Sequence, residues 1–140
     1  MAETLQVDIV SAEGAIFSGP AHMVFVPASQ GELGILPRHA PLLTLLKPGE
    51  VRVQPAEGEE QPFYVGGGAL EVQPHRVTVL ADTVLRAKDI DELAAQAAKQ
   101  RAEETLRTKV DKIEQAEALA ELARAVALLK VAQRLRKLHG

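Results

Sequence analysis

The chain has 140 residues, of which 46% are hydrophobic, 25% charged and only 3% aromatic, and its formal charge is −3. That length suits one ordinary domain, or a small domain with an appendage, and is long enough to bury roughly two thirds of its unfolded surface. The absence of Cys and Trp excludes a disulfide framework, a thiol nucleophile and Cys-based zinc sites, and argues against base-stacking platforms.

The first residues, MAETLQVDIVSAEG, carry acids where a secretory signal would carry lysines. No run approaches the roughly 18 apolar residues of a membrane span. A soluble, cytoplasmic chain is the expectation. From Leu5 to Leu80 short apolar runs follow one another: LQVDIV, AIF, MVFVPA, LGIL, PLLTLL, VRV, FYV, LEV and VTVL. Turn residues separate most of them, and all eight prolines and nine of the ten glycines precede residue 88. This pattern predicts an antiparallel sandwich or barrel over residues 1–87.

Beyond Arg86 the character changes. The run from Lys88 to Leu138 has neither Gly nor Pro and is rich in Ala, Leu, Glu, Lys, Arg and Gln, the strong helix formers. Two helices over residues 88–140 are predicted, with Asp89/Glu92 and Asp111/Glu114 at capping-box spacing. Ile90, Leu93, Ala94 and Ala97 share a face of the first; Leu119, Leu122, Val126 and Leu129 share a face of the second. A short connection around Arg107 to Lys109, with Thr108 as hinge, makes them an antiparallel hairpin. Such a pair either covers the sandwich or, being weakly anchored, detaches as an arm. Charge is divided between the halves: five Lys/Arg against ten Asp/Glu up to Ala87, then eleven against nine.

Catalytic signatures fail one after another. None of Ser11, Ser18 and Ser29 stands in a G-x-S-x-G elbow. His22, His39, His75 and His139 are widely separated, without metal-ligand spacing. Gly66-Gly67-Gly68 lacks the following GK[ST] and reads as a turn or bulge between strands. An acidic sandwich with few aromatics does not suit nucleic acid.

Two features survive. GELGILPRHAPLLTLLKPG sets Glu32, Arg38 and His39 in a proline-restricted segment that suits a catalytic loop, a bent strand or a docking surface. From Leu122 onward there are five basic residues and no acid. Lys130, Arg134 and Lys137 share a helix face, Arg124 lies nearly two turns earlier, and together they suit an acidic partner.

GELGILPRHAPLLTLLKPG, GGGALEVQP, VTVLADTVLRAKDID and AELARAVALLKVAQ, in that order, resemble the epsilon subunit of the bacterial F-type rotary ATP synthase. The resemblance implies a ten-stranded β-sandwich followed by a two-helix hairpin. It implies a non-catalytic rotor subunit at the cytoplasmic face of the bacterial inner membrane. Its partners would be the gamma subunit and the c-subunit ring, met by Glu32, Arg38 and His39, and the catalytic alpha and beta subunits when the hairpin extends to inhibit hydrolysis. Membrane association would come only through the complex. Some members bind ATP in the hairpin through I/L-D-x-x-R-A; here Ile90, Asp91 and Arg124 match that site. Ala94 replaces its arginine, Leu128 a second arginine and Leu85 an acid. No cofactor is therefore expected, and ATP binding should be weak or absent.

Overall fold

The computed structural model describes residues 3–108 and 111–139. Seven strands come first: β1 (Leu5–Ser11), β2 (Gly14–Ala28), β3 (Gly31–Ile35), β4 (Leu42–Pro55), β5 (Gln61–Gln73), β6 (Arg76–Ala81) and β7 (Val84–Arg86). A single 3-10 turn, Ala87–Asp89, leads to α1 (Glu92–Thr108) and α2 (Lys112–His139). The sandwich and hairpin expected from the sequence are both present.

The strands neighbour one another in the order β1-β6-β5-β4-β2-β3, and β1 also pairs with β2. Strands 1, 6, 5, 4 and 2 therefore close on themselves, leaving few unpaired edges. One pairing departs from the antiparallel expectation, since β1 and β6 run parallel. Closure requires it: directions cannot alternate all the way around a ring of five strands, so one neighbouring pair must run the same way. The resemblance implied ten strands, whereas seven continuous ones are found, because β2, β4 and β5 are 15, 14 and 13 residues long. β2 and β5 each pair with three other strands along their length, and β4 with two.

The three-glycine segment lies inside β5 and not between two strands. Phe63–Val65 pair with β7, and from Gly68 onward the strand pairs with β6. Gly67 and Gly68 have φ of 108° and 140°, a region that side chains disfavour. The glycines thus let one strand change partners and turn the corner of the sandwich.

Period-two alternation fills the interior. Leu5, Val7 and Ile9 point inward from β1, Val51 and Val53 from β4, and Val77 and Val79 from β6, all at most 2% exposed. Phe63 joins them and meets Phe17 edge-on at 5.9 Å. This cluster contains no residue of α1 or α2.

The helices run antiparallel, as the pairs Glu92–Arg136 and Arg101–Glu121 show. The face of α1 that meets α2 differs by one position from the sequence expectation. Ala95 and Ala102 are buried, while Leu93 is 85% exposed. On α2 the buried alanines Ala118, Ala125 and Ala132 recur every seven residues, and Leu119 and Val126 stay outside the seam. Alanine lets the helix axes approach closely, and each buried alanine forgoes about 0.8 kcal/mol for every methylene a larger side chain would add. The first cap also differs: Asp91, not Asp89, accepts the Ala94 N–H at 3.0 Å. Asp111 caps α2 by accepting the N–H of Ile113 at 2.8 Å. Thr108 ends α1; the expected connection continues into Lys109, which is outside the described residues.

Candidate docking face and hairpin seat

Glu32 lies on β3 opposite Pro27 of β2, and its carboxylate accepts Arg52 Nη2 at 3.2 Å. It lines two shallow depressions. One is shared with Leu33, Leu42 and Leu43; the other runs toward α2 and is shared with Pro48, Leu122, Val126 and Lys130. Outward-facing residues of β4 add apolar surface, Leu43 being 74% and Leu45 67% exposed.

Arg38 and His39 occupy the turn after β3. Arg38 has φ of 69°, and its N–H donates to Pro74 O at 2.8 Å. The guanidinium pairs with Glu3 at 2.5 Å. The backbone N–H of His39 donates to Leu36 O at 3.2 Å, and Nδ1 lies 2.8 Å from Ala40 O. A carbonyl only accepts, so this contact places a proton on Nδ1. Glu32 and His39 are thus held by separate partners, on a strand and on the turn that follows it.

Of the basic residues on α2, Arg134 is turned onto the sandwich. Its Nε donates to Glu50 Oε2 at 2.8 Å, and the Glu50 side chain is only 2% exposed. That hydrogen bond, with the charges of Glu50, Glu60 and Glu32, outweighs partial burial and holds Arg134 more firmly protonated than usual. Lys130 and Lys137 are exposed. Arg124 is exposed too, close enough that its charge draws the Tyr64 phenol down against the stronger upward push of burial.

The positions implied for a nucleotide come together as an apolar seat. Leu85, Ile90, Leu128 and Leu135 pack against buried Tyr64, Ala87, Ala127 and Val131. Asp91 is occupied at the start of α1. Among the described residues no cluster of three or more His, Asp or Glu side chains is arranged to hold a metal.

Sequence reasoning missed Glu50, Arg52 and Tyr64. All three lie on the outer faces of β4 and β5 by strand alternation, where solvent is the ordinary surrounding. Glu50 and Tyr64 are buried, at 4% and 3% exposure, under a helix more than 60 residues later in the chain. The isolated acid in KPGEVRV is the only local sign, and a weak one.

Comparison with known proteins decides the family. The beta-sandwich domain of the ATP synthase delta/epsilon chain matches residues 4–87, and its long alpha-helix domain matches residues 88–133. The chain belongs to the epsilon-chain family of the bacterial F-type ATP synthases. It is 64% identical to the ATP synthase epsilon chain of Nitrosococcus oceani over 140 residues, covering all of both chains. It is 60% identical to that of Alkalilimnicola ehrlichii, covering 96% of each. The fold also matches a chain of the Euglena gracilis mitochondrial ATP synthase, OSCP/F1/c-ring, with a TM-score of 0.81 at 18% identity, covering 89% of this chain and 79% of that one. A chain of the Tetrahymena thermophila mitochondrial ATP synthase central stalk/c-ring matches with a TM-score of 0.63 at 12% identity, covering 93% and 97%. An epsilon chain is a non-catalytic subunit of the complex. No helix among the described residues of this epsilon chain is long and apolar enough to cross a membrane.

Proposed function

We propose that this epsilon chain is a rotor subunit that links gamma to the c-subunit ring at the cytoplasmic face of the bacterial inner membrane. Residues 1–87 form the docking unit, with Glu32, Arg38 and His39 facing the ring. Residues 88–140 form an arm that extends toward the catalytic alpha and beta subunits and slows ATP hydrolysis, its Arg124, Lys130, Arg134 and Lys137 meeting acidic groups there. The observation that carries the docking reading is the exposed apolar surface of Leu43 and Leu45 beside a charged Glu32, since apolar surface rimmed by charge marks interaction sites. The seam of small alanines between α1 and α2 supports an arm whose two helices can part and extend, because little area must be exposed again when they separate.

A second reading is a coupling adaptor whose hairpin never leaves. The apolar seat around Tyr64 and the Arg134–Glu50 pair favour it. One titration separates the two: ATP hydrolysis by an epsilon-depleted catalytic complex, with binding followed in parallel, against the full chain and residues 1–87. The sandwich core draws no side chain from the helices, so the shorter chain keeps its interior. Slowing by the full chain alone supports the arm. Binding by both without slowing supports the adaptor, and failure of both to bind removes the docking reading.

A further inference from the structure

Four charged side chains form a line from the docking face to the end of the hairpin. Glu32 on β3 accepts Arg52 Nη2 at 3.2 Å, Arg52 Nε faces Glu50 Oε1 at 3.6 Å, and Glu50 Oε2 accepts Arg134 Nε on α2 at 2.8 Å. The middle contact is too long for a hydrogen bond. Glu50 Oε1 and Arg52 Nε are buried without a hydrogen-bond partner. Arg52 is held between its two carboxylates, with its guanidinium carbon 4.2 Å above the Phe25 ring. Two acids and two guanidiniums leave the set neutral.

We infer that this line is a latch: Glu50 holds the hairpin down through Arg134, and Glu32 controls the grip by keeping Arg52 from claiming Glu50. When a cationic group of a partner draws Glu32 away, two guanidiniums are left with one buried carboxylate. Arg52 already faces the unpaired Oε1 and needs to move only a few tenths of an ångström to bond it. Its charge then opposes Arg134 across the same carboxylate. Lys47 and Lys130 line the adjoining groove and add positive charge, while Glu60 is the other acid whose charge favours Arg134. Loss of Glu32 therefore tips the balance against the hairpin. The identity of the partner face rests on the docking reading; the latch itself rests on the contacts within this chain.

A buried carboxylate that loses its partner is strongly destabilising, whereas an exposed pair is worth little, so the outcomes are graded. The chain has no cysteine, so Gln73→Cys and Gln133→Cys, both exposed positions on β5 and α2, accept a spin-label pair in the isolated full-length chain. Pulsed dipolar spectroscopy of the doubly labelled parent should give one dominant distance. Arg134→Gln and Glu50→Gln should raise the long-distance population by about tenfold, and Glu32→Gln by a smaller factor. Coincident distributions for Arg134→Gln and the parent would overturn the latch. An open Arg134→Gln beside an unchanged Glu32→Gln would overturn control by Glu32. Arg134 lies outside the sandwich, so its variant decides the first question even if Glu50→Gln fails to fold. Sedimentation of Glu32→Gln with isolated c ring tests docking separately, so neither result can stand in for the other.

Discussion

Asp91 Oδ1 accepts the backbone N–H of Ala94 at 3.0 Å, so the acid that matches the family's nucleotide motif starts a helix in this chain. Its neighbour Ile90 is committed as well, packing with Leu85 and Leu128 in the hairpin seat. Those two leucines stand where the resemblance implies an acid and an arginine, so of the implied arginines Arg124, near Tyr64 of the seat, is left to meet a phosphate without the others. Millimolar ATP should therefore leave the hairpin amide spectra unchanged, and tight binding would refute this reading. Asp91→Ala should cost the hairpin about 1 kcal/mol, and Asp91→Asn much less. Hydrogen exchange at the amides of α1 measures both.

Gly68 has no room for a side chain. A Cβ there would lie 2.1 Å from Leu80 O and 2.8 Å from Ala81 Cα, both backbone atoms of the paired strand, and φ is +140°. Gly68→Ala must separate β5 from β6 at the corner, at a cost of about 3 kcal/mol or more. Gly58 is the control, with φ of +95° but nothing within 4 Å of an added Cβ. Its alanine variant should cost only about 1 kcal/mol of backbone strain. Urea melts of the two variants measure the difference, and equal midpoints would show that the corner relaxes.

Alternation and turn residues made the sandwich legible, because Val7, Val53 and Val77 each follow the two-residue period of a half-buried strand. The hairpin was legible from composition, but its seam was not. In a helix this rich in alanine every face carries small apolar residues, so Ala94/Ala97 and Ala95/Ala102 compete on equal terms until α2 is placed. The larger Leu119 and Val126 attracted the expectation of a buried face, yet they rim the groove beside the sandwich, 56% and 46% exposed. The residues proposed for docking, Glu32, Arg38 and His39, were visible in one contiguous segment. The Glu50–Arg134 contact spans 84 positions, and no local pattern encodes a pair at that separation.

Arg38 holds a left-handed conformation with φ of 69°, which costs a residue bearing a Cβ about 1–2 kcal/mol. Glycine removes that cost but loses more freedom on folding, by roughly 0.5–1 kcal/mol. The ion pair with Glu3 is 73% and 54% exposed on its two sides and contributes little. Arg38→Gly should thus leave stability unchanged or raise it by up to about 1 kcal/mol. A lower urea midpoint would mean that the contact tying Glu3 to the turn matters more than its exposure suggests.

Asp8 supplies a pH dependence whose sign follows from its surroundings. Burial pushes its carboxyl up, but hydrogen bonds from Ser18 and Gln6 and the charge of Arg76 outweigh that and leave it below its ordinary value. The folded chain therefore holds the proton less readily than the unfolded chain does. The resulting stability is fully present above the unfolded carboxyl value of about 3.9, and disappears as pH falls through the lower folded value. Asp8→Asn should accordingly lower stability at pH 7 by roughly 1 kcal/mol or less, given that Arg76 is 56% exposed. Once pH has fallen through that lowered folded value the aspartate is neutral like the asparagine, and the two curves should converge. Urea melts from pH 2 to 7 test this; a gap that stays constant through the acid range would assign the effect to packing instead of charge.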